Sequence, residues 1–294
     1  MKDIKKKLKA YALEADEVLE SLFKDEEEYI AKTLISSMKY TLFSGGKRLR
    51  PILTRMVAEM LDANMESALQ LGAAIEMIHT YSLIHDDLPS MDDDKYRRGK
   101  ETNHRVYGPG IAILAGDGLL TYAFNVLSKL PLAADKIIKI IELVSEGAGI
   151  EGMVGGQVLD LEAENKAISL EEMKAIHRAK TGALFRTSIL AAAYCGETSK
   201  KEIEALEIYA ENLGLTFQIT DDILDVIGNE EKLGKKTGSD EKLDKSTYPK
   251  LLGLEGAKKE ARKNAELAKE AIDIFDSESQ DLKDLIDFIL SRQS

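Results

Sequence analysis

Proline and cysteine are scarce in this chain, and tryptophan is missing: 294 residues include 5 Pro, 1 Cys and no Trp. A single cysteine, Cys195, excludes an internal disulfide and with it the disulfide-stapled secreted domains. Few prolines, with abundant Ala, Leu, Glu and Lys, leave room for long unbroken helices. Positive charge is also in deficit. The 40 Lys and Arg stand against 52 Asp and Glu, for a formal net charge of −12. Nucleic acid and anionic membrane surfaces are therefore poor partners, and an anionic ligand needs local basic groups or metal ions to offset the field. No uninterrupted run reaches the roughly 18 apolar residues of a membrane-spanning helix. The stretch from Ile111 to Leu127 comes closest, but Asp117, two glycines and an asparagine interrupt it. The segment from Met1 to Phe23 is charged and amphipathic, without the apolar centre of a signal peptide. Together these features predict a cytoplasmic protein with no membrane insertion.

What is present is helical periodicity. Apolar residues recur at three- and four-residue spacing over 52–61, 68–84, 113–130, 134–144, 170–194, 203–227 and 257–275. No stretch alternates as a half-buried strand does. Gly45-Gly46, Gly108-Pro109-Gly110, Pro131 and Gly228-Asn229 read as helix stops. No Pro/Ser-rich linker and no short repeat divides the chain. The expected fold is all-α, one helical domain over 1–294, with residues 228–249 as a polar, mobile loop.

Two aspartate clusters interrupt this apolar pattern. Asp86-Asp87-Leu88-Pro89-Ser90-Met91-Asp92 and Asp221-Asp222-Ile223-Leu224-Asp225 begin 135 residues apart. Such dense carboxylates repel one another unless a positive charge lies between them. Hard divalent cations take oxygen ligands and often join one or two carboxylates to substrate phosphates. On a helix Asp221 and Asp225 lie about 40° apart, Gln218 falls near the same face, and Asp222 points about 100° away. A solvated polar face is the alternative for this cluster taken alone. Asp86 and Asp92 would be about 120° apart on a continuous helix and unable to share a metal. Pro89 disfavours helical geometry at Leu88, so the helix is expected to end near Asp87 and the loop to bring Asp92 back. Asp86 and Asp87 then sit at a helix C-terminus, where bound cations offset an unfavourable dipole.

Basic residues accompany the clusters: Lys47, Arg48 and Arg50 after Gly45-Gly46, and Arg97-Arg98 after the first aspartates. A planar guanidinium matches phosphate oxygens with a two-pronged fork. The Gly-rich stretch 147–156 lacks the Gly-Lys-Ser/Thr ending of a phosphate loop and is read as close helix packing. His104 and His177 are read as structural, Asp117 as a cap or structural group, and Cys195 as a buried small apolar residue.

In this order and company the motifs resemble the trans-isoprenyl diphosphate synthases, in particular the bacterial farnesyl diphosphate synthases. The matching segments are Gly45 to Pro51, His79 to Asp92, Arg97-Arg98-Gly99, Gly116-Asp117 and Gly156-Gln157-Val158-Leu159-Asp160-Leu161. They continue through Lys180-Thr181-Gly182, Phe217 to Asp225, Leu233-Gly234-Lys235 and Lys245 to Pro249. The resemblance covers essentially the whole chain.

It implies a large helical bundle around a central cavity, and a homodimer. It also implies three Mg2+ ions, which Mn2+ could replace. Asp86 and Asp92 would ligate two ions and Asp221 the third, with Asp87, Asp222 and Asp225 acting partly through water. Arg97, Lys180 and Lys235 would grip the allylic diphosphate, which is dimethylallyl or geranyl diphosphate. Isopentenyl diphosphate would take a metal-free site of Lys47, Arg50, His79 and Arg98, and Lys245, in the last matching segment, would also bind substrate. Lys180, Thr181 and Gln218 would present dipoles to the developing cation. The implied reaction is head-to-tail condensation to farnesyl diphosphate through an allylic carbocation. Tyr81, five residues before Asp86, would stop chain growth, with Met77 and Ser82 the next candidates.

A geranylgeranyl synthase of the same family would often carry a smaller or non-aromatic residue at 81. A metal phosphohydrolase built on His85-Asp86 needs upstream histidines, and none precedes His79. A class I terpene cyclase would normally lack the second aspartate motif and the Gly45–Pro51 segment. A non-catalytic prenyltransferase subunit would typically have lost one or both clusters.

Overall fold

A helix whose buried residues fall on every side lies at the centre of the molecule. The computed structural model describes residues 2–164, 166, 168–227 and 246–291. Its helices are α1 (Lys2–Ser21), α2 (Lys32–Leu42), α3 (Leu49–Met60), α4 (Met65–Asp86), α5 (Asn103–Tyr107), α6 (Pro109–Leu127) and α7 (Ala134–Ala148). There follow α8 (Met153–Ala163), α9 (Leu170–His177), α10 (Ala183–Ala193), α11 (Lys200–Ile227), α12 (Tyr248–Ala271) and α13 (Gln280–Ser291). The 22-residue α4 is buried at Leu71, Ile75, Met77, Ile78, Tyr81 and Ile84 and also at Ala68, Gly72, Ala74 and Thr80. A helix buried on every side must be covered on every side. Accordingly α4 packs against α6, α3, α10, α1 and α2. Each Leu or Ile so buried contributes about 1.5–3 kcal/mol.

A smaller second core joins α9, α11 and α12 through Met173, Ile219, Ile223, Tyr248, Ala257 and Ala261. It fixes the second aspartate cluster against the start of α12. The all-α expectation holds. The expected helices over 52–61, 68–84, 113–130, 134–144 and 203–227 correspond to α3, α4, α6, α7 and α11. Helices α2, α8 and α13 were not anticipated.

The expected helix over 170–194 is interrupted. Ser169 and Glu172 form a reciprocal capping box that starts α9, and Arg178–Gly182 is then π-helical before α10 begins. The wider turn has a tight neighbour: a Cβ added to Gly156 on α8 would lie 2.2 Å from the backbone nitrogen of Lys180. Gly147, against Thr187, and Gly156 therefore serve close helix packing, whereas Gly149, Gly152 and Gly155 lie against the backbone of their own segment.

Among the described residues the only strands are Tyr96–Arg97 and Lys100–Glu101, a two-residue antiparallel pair. Arg98 (φ 54°) and Gly99 (φ 77°) form its turn. Positive φ at both central positions is what a tight hairpin's right-handed twist requires. Helix α6 is long and apolar enough, by length and composition, to cross a membrane. It packs against α4, α2 and α5 through Ala112, Ala115, Gly116, Leu119 and Ala123.

Candidate active site

The first aspartate cluster ends α4. The helix stops at Asp86, and the Asp92 N–H donates to the Asp86 carbonyl at 2.9 Å, so the loop returns Asp92 to the helix end as Pro89 led us to expect. Asp86 is half-buried. Burial raises its carboxyl, while the nearby Lys180 ammonium opposes that shift. Asp87 is buried and held by Arg97, whose Nε donates to both carboxylate oxygens at 2.8 and 2.9 Å and whose terminal nitrogen donates to one at 2.6 Å. Of the adjacent pair, then, Asp87 seats Arg97, and Asp86 and the exposed Asp92 remain for a ligand.

The second cluster also has a carboxylate held by protein. Asp222 is buried and accepts from Gln218 Nε2 at 2.9 Å and from the Tyr248 backbone N–H at 3.0 Å. It thereby caps the first turn of α12, where a carboxylate is favoured. Asp221 is half-buried and Asp225 buried, four residues apart on one face of α11. Gln218 is bonded to Asp222 rather than grouped with Asp221 and Asp225.

A cleft runs between α8, the π-helical segment and α11. Asp160, Lys180, Thr181, Gln218 and Asp222 line it, with Ser246 and Thr247 at the start of α12. Lys180 Nζ donates to Asp160 Oδ2 at 2.7 Å. Lys180 thus lies near enough to act on Asp86 while lining the same cleft as Asp222. The Asp160 pairing was not anticipated, although Asp160 stood in a quoted motif.

A basic nest forms around His79. Arg98 reaches back from the hairpin and donates to the Gly45 carbonyl; a Cβ on Gly46 would lie 2.7 Å from its guanidinium. Arg48 is buried, with φ 49°, and ties α1 to α4: Nε donates to Asp16 Oδ1 at 2.7 Å, one terminal nitrogen to Glu76 Oε1 at 2.9 Å and the other to the Leu42 carbonyl at 2.6 Å. Glu76, one helical turn before His79, also escaped the sequence reading. Arg50 lies 5.0 Å over the Phe185 ring, and burial pulls its guanidinium down to about 10. Its Nε is buried with no hydrogen-bond partner among the described residues. Burial and the guanidinium groups of Arg50, Arg98, Arg97 and Arg48 hold the His79 imidazole well below the usual histidine range. The nest therefore offers guanidinium groups, a neutral imidazole and the exposed Lys47 to an anion.

Tyr81 is buried one turn before His85, and the two rings meet edge to face at 5.7 Å. Met77 is fully buried, and Ser82 Oγ donates to the His79 carbonyl at 2.8 Å. His104 is buried and its Nδ1 lies 3.2 Å from Thr102 Oγ1; His177 stacks on Tyr248 at 5.6 Å. His177 also lines the cleft of Lys180 and Asp222. Cys195 is buried, its thiol pushed up to about 12 by burial. Lys235, Lys245 and most of the 228–249 loop lie outside the described residues.

The oxygen donors at the ends of α4 and α11 fit a hard divalent ion shared with a phosphate. Among the described residues no three His, Cys, Asp or Glu side chains converge on one point.

The model of the polyprenyl synthetase family matches residues 31–289. The chain belongs to this family. It is an enzyme of the prenyltransferase type. It is 46% identical over 263 residues to a farnesyl diphosphate synthase of Bacillus subtilis, covering 88% of this chain and 89% of the relative. It is 45% identical over 291 residues to a geranylgeranyl diphosphate synthase of Cyanophora paradoxa, covering 98% and 97%. Among solved structures, an FPP/GFPP synthase from Zymomonas mobilis superposes with a TM-score of 0.88 at 34% identity, covering 98% of this chain and 99% of that one.

Proposed function

We propose that the chain is a farnesyl diphosphate synthase, which condenses isopentenyl diphosphate with dimethylallyl and then geranyl diphosphate. Overall similarity supports prenyl elongation but is almost equal for the fifteen- and twenty-carbon relatives. The observation that carries the product assignment is the buried Tyr81 ring, about 7.5 Å along the α4 axis from Asp86.

Members of the family use divalent metal ions. The ions expected here are three Mg2+, which Mn2+ could replace, held by Asp86, Asp92 and Asp221 together with the allylic diphosphate. Bound there, they supply Lewis-acid neutralisation of the leaving group. Asp87, Asp222 and Asp225 act from behind, through water and by orienting their neighbours. Lys180, with Arg97 and Lys235, adds positive charge to the allylic diphosphate. The basic nest of Lys47, Arg50, His79 and Arg98 orients isopentenyl diphosphate so that its double bond meets the allylic carbon as the C–O bond breaks. Thr181 and Gln218 turn dipoles toward the cation, and the apolar walls of α4 keep water from it. The departing diphosphate takes the proton lost after C–C bond formation.

The deciding experiment supplies isopentenyl and geranyl diphosphates with Mg2+ and measures product length by chromatography after dephosphorylation. The wild type is expected to stop mainly at fifteen carbons and Tyr81→Ala to give twenty or more. A folded, active Tyr81→Ala variant with an unchanged profile would move the floor to Met77 or Ser82.

The two diphosphate sites separate by kinetics. Arg50→Ala or His79→Ala should raise the Michaelis constant for isopentenyl diphosphate roughly ten- to a hundred-fold, the value of one hydrogen bond to a charged group. The constant for the allylic substrate should change less, and a reversed pattern would exchange the two sites.

The expected assembly is a homodimer in the cytoplasm. Supporting it, α6 exposes Ile113 and Leu114, and α8 exposes Val154, Val158 and Leu159. A monomeric mass by light scattering would refute the dimer.

A further inference from the structure

We propose that His85, seated on the backbone of α6 at Gly116, is the positioning residue that holds the Tyr81 ring and thereby sets product length. The proposal rests on the reading of Tyr81 as the floor of the elongation pocket.

Tyr81 and His85 are one turn apart on α4, so their side chains share a face. Their rings stand at 80° with centroids 5.7 Å apart, the attractive edge-to-face arrangement. The imidazole is itself fixed from the far side. His85 Nε2 lies 3.0 Å from the Ile113 carbonyl. A carbonyl only accepts, so Nε2 carries the proton and donates. Three residues along α6, a Cβ built on Gly116 would lie 2.2 Å from Nε2 and 2.6 Å from Cδ2 of the same ring. No side chain larger than hydrogen at 116 lets the imidazole occupy this place. Asp117 Oδ1 stands 4.0 Å from Nε2.

The seat is therefore main chain rather than another mobile side chain. It runs from the α6 backbone through the His85 ring to the Tyr81 ring. His85 has no place in either diphosphate site, and the metal-cluster neighbour Asp86 does not explain why its ring is packed against a glycine. With its edge-to-face partner removed, the phenol gains room to turn aside for a longer chain.

The test compares His85→Ala, His85→Phe, Gly116→Ala and Tyr81→Ala, with thermal melting to establish folding. The readout is the ratio of twenty- to fifteen-carbon product, which is independent of the overall rate. His85→Ala should raise that ratio roughly tenfold or more, the scale of discrimination by one apolar contact. Gly116→Ala, which displaces the imidazole without touching Tyr81, should raise it too. His85→Phe keeps an aromatic edge and should stay nearer the wild-type profile than His85→Ala. In a Tyr81→Ala background His85→Ala should add nothing. The proposal is overturned if folded His85→Ala and Gly116→Ala keep a fifteen-carbon product while Tyr81→Ala lengthens it. Further lengthening in the double variant would make His85 a wall in its own right and overturn its positioning role. If Tyr81→Ala itself leaves the product at fifteen carbons, the floor reading fails and the proposal with it.

Discussion

Asp86→Ala and Asp221→Ala are each expected to lower turnover at least ~100-fold, the cost of losing one preorganised electrostatic group. Asp87 is held by Arg97, and Asp222 accepts from Gln218 and from the first turn of α12. Asp86 and Asp221 are half-buried at the ends of long helices, where they can share an ion with a phosphate. Asp94→Ala is the control. Asp94 is exposed, and its carboxylate is 3.7 Å from Arg97, outside the matched positions. Its loss should matter far less. Equal losses at all three, with circular dichroism showing intact helices, would contradict the assignment.

Chelation should have the larger effect and abolish turnover altogether. The chain carries a formal charge of −12, and its cleft places Asp160 and Asp222 beside a single described lysine, Lys180, already paired with Asp160. A diphosphate approaching these carboxylates without added positive charge meets repulsion at binding, and more as charge develops on the leaving oxygen. Excess chelator should therefore remove both allylic substrate binding, measured by calorimetry, and turnover. Mg2+ or Mn2+ should restore them. Isopentenyl diphosphate binding in the basic nest should persist in chelator, because that site is built from guanidinium groups and a neutral imidazole. Substantial turnover in excess chelator would refute the mechanism.

The two predictions draw on different kinds of information. The helices of the core, the break at Pro89 and the return of Asp92 were legible in the sequence. Apolar periodicity and turn residues act over a few neighbours, and the chain cannot bury α4 except as a helix covered on all sides. The motif order also sufficed to identify the family and the residues to watch. The hairpin at Arg98-Gly99 was missed because two residues per strand leave no alternation to read. The π-helical turn at Lys180 was missed because its local sequence still has helical periodicity, and its close neighbours, Gly156 and Gly214, lie on other helices.

The sequence by itself determined the all-α class, the family and which residue types could bind a diphosphate. Only the tertiary structure decided how those residues divide their work. Arg48 meets Glu76 across 28 residues, Lys180 meets Asp160 across 20, and the Tyr248 N–H meets Asp222 across 26. Which carboxylate of a pair is already occupied, and which ring rests on which backbone, depends on how separate helices are packed together. Two neighbouring aspartates are chemically identical in sequence. They become different when one is buried against a cation or a helix N-terminus and the other is half-exposed.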